Sequence, residues 1–388
     1  MRYLKILFTG DICFEAQHEM NAELAKKVLA PMREILSAAD LRVMNLETPL
    51  ADEGVGAPIE KRGPAIIGRP ENVGFLTEAG CDIAILANNH TGDYGPDALF
   101  STIDILDRNK ILHTGAGKDI DEAYKAVRIN LDGIRISFLG ICENEFGIAE
   151  DDTPGTAGFE LDRAGNVISG EKEASDYVIV VFHGGNERNP LPSPGCRSRY
   201  RTLIRLGADA VIGGHPHCMQ GYEYFLGKPI VYSGGNFFFK DPENTTLSWL
   251  HGYITELTIG ERLTVRPIPY EFTADGLSVI PLSGNELSET LSYIEEISSY
   301  IPDTKRLNEL FDCWSVTYGF GYPKRFAGSD GLAPGMNDAA FFKNNLICEA
   351  HNEVCRTAYR IMFENRLDEA LSHKPELDRL KAIPCERK

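Results

Sequence analysis

The stretch Arg197-Ser198-Arg199-Tyr200-Arg201-Thr202-Leu203-Ile204-Arg205-Leu206-Gly207-Ala208-Asp209-Ala210-Val211-Ile212-Gly213-Gly214-His215-Pro216-His217 contains a whole structural unit. An amphipathic helix pattern over 197–206 gives way to a compact apolar strand at 210–212, and the strand ends on a turn with two imidazoles. The same grammar repeats along the chain. Apolar runs at 4–8, 41–44, 83–86, 134–139, 177–182, 210–212 and 230–232 read as strands covered on both faces, since their hydrophobicity is nearly continuous. Amphipathic stretches at 22–36, 70–79 and 96–107 lie between them, two beginning with Pro70 and Pro96, which suits a first helical turn. Such alternation predicts an α/β architecture. Segments 253–259 and 263–268, parted by Gly260-Glu261-Arg262, read as a hairpin closing a sheet.

From about Leu287 the pattern turns helical, over 287–300, 304–314 and 336–370, interrupted by a Gly- and aromatic-rich piece at 318–336. The expected organisation is an α/β domain over residues 1–272 and a mainly helical C-terminal region over 285–388 packed on it. In the latter, Trp314, Tyr318, Phe320, Tyr322 and Phe326 read as core packing before ligand contacts. Cys348, His351 and Cys355 fall at i, i+3 and i+7, which reads as an apolar helix stripe, with nothing acidic to complete a metal site.

The balance of 39 Lys+Arg against 57 Asp+Glu gives −18, which disfavours nucleic acid as a partner. An anionic substrate is compatible with such a surface only if cations supply local positive charge. Nine scattered Cys with no CxxC pair read as free thiols in a reducing cytoplasm. The first residues form too short an apolar run for a signal peptide or a membrane span, and read as a first strand.

Metal-capable groups follow strand after strand: Asp11, Glu47, Asn88-Asn89-His90, Glu143 and Glu145, His183, and His215-Pro216-His217. Each alone is ordinary turn or loop chemistry. Together, at the C-terminal strand edge where open α/β sheets bind ligands, they predict a metal site. Imidazole with carboxylate and amide oxygen suits Mn, Fe, Zn, Ni or Co more than Mg or Ca. Six donors are more than one tetrahedral ion takes, so two ions roughly 3.5–4 Å apart are expected, with Glu47 as the bridge.

The ordered motifs Gly10-Asp11, Asn45-Leu46-Glu47, Ala87-Asn88-Asn89-His90-Thr91-Gly92-Asp93-Tyr94-Gly95, His113-Thr114-Gly115-Ala116-Gly117, His183-Gly184-Gly185-Asn186-Glu187, Gly213-Gly214-His215-Pro216-His217 and Tyr232-Ser233-Gly234-Gly235-Asn236-Phe237 resemble the poly-γ-glutamate capsule-synthesis (CapA-type) proteins, a branch of the calcineurin-like metallophosphoesterases. The resemblance implies a four-layer α/β/β/α sandwich over roughly residues 4–270. It implies one ion on Asp11, Glu47 and His217, and a second on Glu47, Asn89, His183 and His215. His90 matches the imidazole beside the leaving group, as general acid or charge stabiliser. Asn88, Asp93, Glu187, Arg188 and Asn236 are the expected substrate contacts. Three departures stand out. Cys13 occupies a position where phosphoesterases carry His, and reads as an inert buried thiol. Asn45-Leu46-Glu47 replaces Gly-Asp-x-x-Asp, as in the capsule branch. Gly184 stands where that branch often has an aromatic.

The implied function is phosphoester hydrolysis of an anionic small molecule or polymer by a metal-activated water, in the cytoplasm. Arg188, Arg197, Arg199 and Arg201 form a basic cluster that reads as a solvated helix face or a substrate clamp. The alternatives are an accessory role with capsule-synthesis partners in poly-γ-glutamate synthesis or export, or cleavage of a γ-glutamyl polymer.

Overall fold

The computed structural model describes residues 3–14, 19–61, 63–241, 243–319 and 336–384. Two sheets face each other. The first runs Val279–Pro281, Leu263–Phe272, His251–Ile259, Leu4–Cys13, Leu41–Leu46, Ile83–Ile85, Leu112–Thr114, with Asn236–Phe239 pairing the far end of Leu4–Cys13. The second runs Tyr222–Phe225, Lys228–Val231, Ala210–Gly214, Tyr177–His183, Ile134–Cys142, Val127–Leu131. Leu4, Ile6, Phe8, Val43 and Ile85 of the first sheet meet Phe138, Ile179, Val181 and Ile212 of the second in one apolar core. The outer face of the first sheet buries Leu7, Met44 and Ala84 under Val28, Phe75 and Leu99. That of the second buries Leu139, Val180 and Val211 under Ile168, Tyr200 and Leu203. The layering is therefore α/β/β/α.

The compact apolar runs are strands, as expected. Two helical expectations need correction, and two helices were not expected. The stretch 22–36 is broken into Ala22–Val28, a 3-10 turn Ala30–Met32 and Arg33–Ser37, because Pro31 lacks the N–H that would continue the helix. The run 336–370 is three helices, Met336–Ile347, Glu349–Phe363 and Leu367–Leu371, the last break lying at Asn365 with φ 54°. Leu161–Ala174 and Lys374–Lys381 are helices the apolar pattern did not reveal, being rich in Gly and charge respectively. The edge strands Val127–Leu131 and Tyr222–Phe225 were also hidden, since half-exposed strands lack a continuous apolar run.

The C-terminal helices share the intersheet core: Ile294, Leu307, Trp314 and Leu377 belong to the same apolar cluster as the strands. Polar fasteners add to this. Asn144 donates backbone and side-chain N–H to Glu349, at 2.9 and 2.8 Å. The Ser193 hydroxyl and Gly195 N–H donate to Glu353 at 2.5 and 2.7 Å. Phe320, Tyr322 and Phe326 lie outside the described residues. Among the described residues no helix is long and apolar enough to cross a membrane, and the eight described cysteines are free and buried.

Candidate metal centre

Parallel strands in both sheets point their C-terminal ends to one rim, and the polar residues there converge. On the first strand, Leu4, Ile6 and Phe8 face the second sheet, whereas Ile12 and Phe14 face the outer helices. The inward parity changes between them because the pairing register shifts from Phe8 to Asp11 and again after it. Such an irregularity re-aims a side chain. Here it accompanies the turn of Asp11 toward the second sheet, where its Oδ2 accepts the His215 N–H at 3.0 Å. Gly10 is required beside it, since a Cβ there would stand 1.8 Å from the Gly235 carbonyl oxygen, just before the strand Asn236–Phe239.

Around Asp11 the contacts are short. Asn45 Nδ2 donates to Asp11 Oδ1 at 2.7 Å and lies 3.2 Å from His183 Nδ1. His183 Nε2 is 3.2 Å from both Asn89 Oδ1 and His215 Nδ1. His217 Nδ1 lies 3.4 Å from Asp11 Oδ2, and its Nε2 3.7 Å from Glu47 Oε1. The same Glu47 oxygen is 3.8 Å from His183 Nε2 and 3.9 Å from His90 Nε2. Glu47 is fully buried, and neither carboxylate oxygen has a hydrogen-bond partner. Asp11, Glu47 and His217 offer three ligand atoms within 4.8 Å of one another. Cys13 is buried and pairs in register with Phe239, outside that group.

Backbone strain marks the same place. His215 and His217 adopt φ 95° and 52°, on either side of Pro216. Two non-glycine residues in the left-handed region cost on the order of 1–3 kcal/mol each and persist only where the surroundings impose them.

Charge follows the geometry. Burial pushes the Glu47 carboxyl well above its ordinary range, and Asp11 adds to this against the pull of His217. Burial drives His183 well below the ordinary imidazole range, with His215 and His217 reinforcing it. Burial also resists charge on His217, but Glu47 and Asp11 push it up to about 10. Burial resists charge on Asp11, yet His217 and His183 hold its carboxyl well below the usual range. Burial and close coupling therefore set the charge of each of these four groups.

His90 sits at the edge of this group. Its Nδ1 is 2.6 Å from Asp93 Oδ2. A carboxylate only accepts, so Nδ1 carries the proton and Nε2 is left toward Glu47. Lys61 Nζ bonds Asp93 Oδ1 at 2.5 Å and the Asn89 carbonyl at 3.1 Å. Burial lowers the His90 pKa, with Lys61 adding to it against Asp93. Nothing in the sequence marked Lys61, which stands beside Arg62 in a polar loop.

Three of the expected substrate contacts have their side chains bonded within the protein. Asn88 is buried, with its oxygen accepting from the His90 and Thr91 N–H groups and its amide donating to the Leu46 carbonyl. Asp93 is consumed by Lys61, His90 and the Ile66 N–H. Asn236 Oδ1 meets His217 Nδ1 at 2.9 Å and its amide donates to the Trp249 carbonyl. Each polar side-chain atom of the three is thus engaged inside the protein. Glu187 and Arg188 are exposed and line a cleft of about 410 Å³ with His215, Trp314, Tyr318, His351 and Lys381. Trp314 thus packs the core and faces the cleft.

The remaining arginines are neither a solvated face nor a clamp. Arg199 pairs with Glu143, Arg201 grips Glu223 at 2.9 and 2.6 Å, and Arg197 donates to the Ile301 carbonyl at 2.7 Å. Glu143 and Glu145 are bonded to the C-terminal helices. His351 Nε2 lies 3.1 Å from Glu145 Oε1, and Cys348 Sγ 3.7 Å from Glu143 Oε2. The stripe at Cys348 and His351 is thus completed by acids, contrary to the sequence expectation. Gly184 lacks the aromatic for a steric reason: a Cβ would stand 2.5 Å from Glu143 Cγ.

Residues 5–241 match the family model described as bacterial capsule synthesis protein PGA_cap. The chain belongs to that family. Curated PGA_cap-type relatives include the capsule biosynthesis protein CapA of Bacillus anthracis, 32% identical over 44% of this chain and 43% of that one. Another is the PGA biosynthesis protein CapA of Bacillus subtilis strain 168, 28% identical over 61% of this chain and 63% of that one. The chain thus spans about two-fifths to three-fifths of the length of these relatives. Among solved structures, a phosphatase from Mycoplasma pneumoniae is similar at a TM-score of 0.44 and 14% identity, over 69% of this chain and 94% of that one.

Proposed function

We propose that the rim is a dinuclear metal site that hydrolyses a phosphoester in an anionic small molecule or polymer. The observation that carries this reading is Glu47, a buried carboxylate with no hydrogen-bond partner and three imidazoles within 4 Å of one oxygen. A buried group left so is costly unless a cation claims it. Asp11, Glu47 and His217 would hold one ion, and Glu47, Asn89, His183 and His215 the other. The donor set suits Mn, Fe, Zn, Ni or Co. When bound, such a pair supplies Lewis acidity and a water acidified toward neutrality.

The chain's own residues complete the chemistry. Asp93 fixes the His90 tautomer, leaving Nε2 to take up a proton and deliver it to the departing oxygen. Asn236 holds the His217 ring, and Asn45 ties Asp11 to the His183 side of the rim. Arg188 and Lys381 in the cleft would meet negative groups of the substrate. We place this chemistry in the cytoplasm, where the buried thiols stay reduced. The test is turnover of phosphomonoesters and diesters by purified, Mn²⁺-loaded protein. Hydrolysis that disappears in Asp11→Asn is expected. Two bound ions with no ester cleaved would refute the reading.

A second reading rests on the family match: an accessory role beside capsule-synthesis partners in poly-γ-glutamate synthesis or export, or hydrolysis of a γ-glutamyl polymer by the same site. Incubation with polyglutamate separates it, because only the polymer hydrolase shortens the chains. Capsule polymer unchanged on gene deletion would remove the accessory role.

A further inference from the structure

The strand His251–Ile259 begins opposite the end of Leu263–Phe272, and the antiparallel register sets His251 directly against Glu271. Glu286 comes to the same point from the first turn of the C-terminal helix Gly284–Tyr300. His251 Nε2 lies 3.6 Å from Glu271 Oε2 and 3.6 Å from Glu286 Oε1. Its other nitrogen, Nδ1, is 2.9 Å from the Leu247 carbonyl oxygen. A carbonyl only accepts, so Nδ1 donates and the neutral ring presents a bare Nε2 lone pair to two carboxylates. His251 is 1% exposed, and Nε2 has no hydrogen-bond partner.

We infer that His251, Glu271 and Glu286 form a binding site for one transition-class divalent cation, Zn²⁺ being the best match, separate from the rim site. The distances favour an ion over a direct bond. An imidazolium donating to a carboxylate closes to about 2.7–2.9 Å, well inside the observed separations. Ligands at about 2.0–2.2 Å from a tetrahedral ion stand roughly 3.4 Å apart, close to what is seen. The three ligand atoms lie within 4.8 Å of one another. One imidazole and two carboxylates form the three-ligand set that leaves a fourth position to water, and both carboxylates are partly exposed. Nδ1 bonded to a backbone carbonyl is the outer partner that fixes a metal-ligating tautomer. The ion would clamp the C-terminal helix to the sheet. It would also brace the Leu247–Leu250 turn, whose Trp249 ring stands 5.0 Å from that of His217.

The experiment compares zinc equivalents per chain, by calorimetry and elemental analysis, for the unaltered full chain and for Glu271→Gln/Glu286→Gln. Both substitutions fall on partly exposed side chains and preserve volume, so the fold is retained. The expected result is one zinc ion fewer per chain in the variant, with phosphoester turnover, where present, unchanged. His251→Gln should lose the same ion. Equal zinc content in the unaltered chain and the double variant would overturn the inference. Because the count is a difference at Glu271 and Glu286, it reads the same whether or not the rim proves catalytic.

Discussion

Two histidine–carboxylate clusters lie within reach of His215, built from the same residue types and satisfied in opposite ways. In the pair that docks the C-terminal helices, acceptors have donors: Glu145 takes the His351 imidazole and the Asn344 amide, and Glu143 takes Arg199 and the Cys348 thiol. At the rim, Glu47 has no donor, and its neighbours His215 and His217 hold strained backbone. A fastener spends its hydrogen bonds; a site keeps them open. Residue type alone does not separate the two, whereas the account of unmet polar atoms does.

The largest effect expected from this contrast is at Glu47. Glu47→Gln keeps the shape and removes the charge, so hydrolysis should fall by about 10²–10³-fold or more, on the scale of losing one preorganised electrostatic group. The same change should raise the melting temperature of the chelated protein, because a buried ionisable group without partners is neutralised. A metal-free variant less stable than its parent would break the comparison.

Chelation comes next. For the unaltered chain, ions at a hundred times their dissociation constant should add about 2.7 kcal/mol, read as a melting temperature that rises with Mn²⁺ and drops with EDTA. Glu47→Gln should lose most of that response, and a response equal to that of the parent would place the ions elsewhere.

At the fastener the sign reverses. His351→Ala should cost about 1.5–3 kcal/mol, the range for a hydrogen bond to a charged group, without changing the metal content of the rim. Its pH dependence sharpens the point. Burial resists charge on both partners, yet Glu145 raises the His351 pKa above the usual range, and His351 holds Glu145 below its own. The His351 contribution is complete below about pH 6.5 and is lost as pH climbs through its raised value. That of Glu145 is complete above about pH 4.3 and is lost as pH falls through its depressed value. Hydrogen-exchange protection of Glu349–Phe363 should therefore peak between these limits, and a profile flat in pH would deny the pair its role.

The smallest effect concerns Lys61. Lys61→Met removes the cation beside His90 and Asp93, so the pH–rate profile should shift as the His90 pKa rises, with activity down about 10–100-fold as for lost outer partners. An unshifted profile would leave Lys61 a structural bond only.

Much of the fold was readable, because buried strands announce themselves as apolar runs and Asp11, Glu47, His183 and His217 each follow one. The aim of Asp11 was not, since the register shift that turns it is a backbone event with no side-chain signature. The arginines at 197, 199 and 201 were misread because their acceptors, Ile301, Glu143 and Glu223, come from other parts of the chain. The pairing of Glu145 with His351 spans 206 positions, beyond any local pattern. Pro31 is a helix breaker legible in the sequence, and it divides 22–36.

Anomalous diffraction from crystals grown with Mn²⁺ addresses the central claim most directly. Two peaks enclosed by Asp11, Glu47, Asn89, His183, His215 and His217, both against the Glu47 carboxylate, are the predicted result. Crystals with no peak beside Glu47 would contradict it.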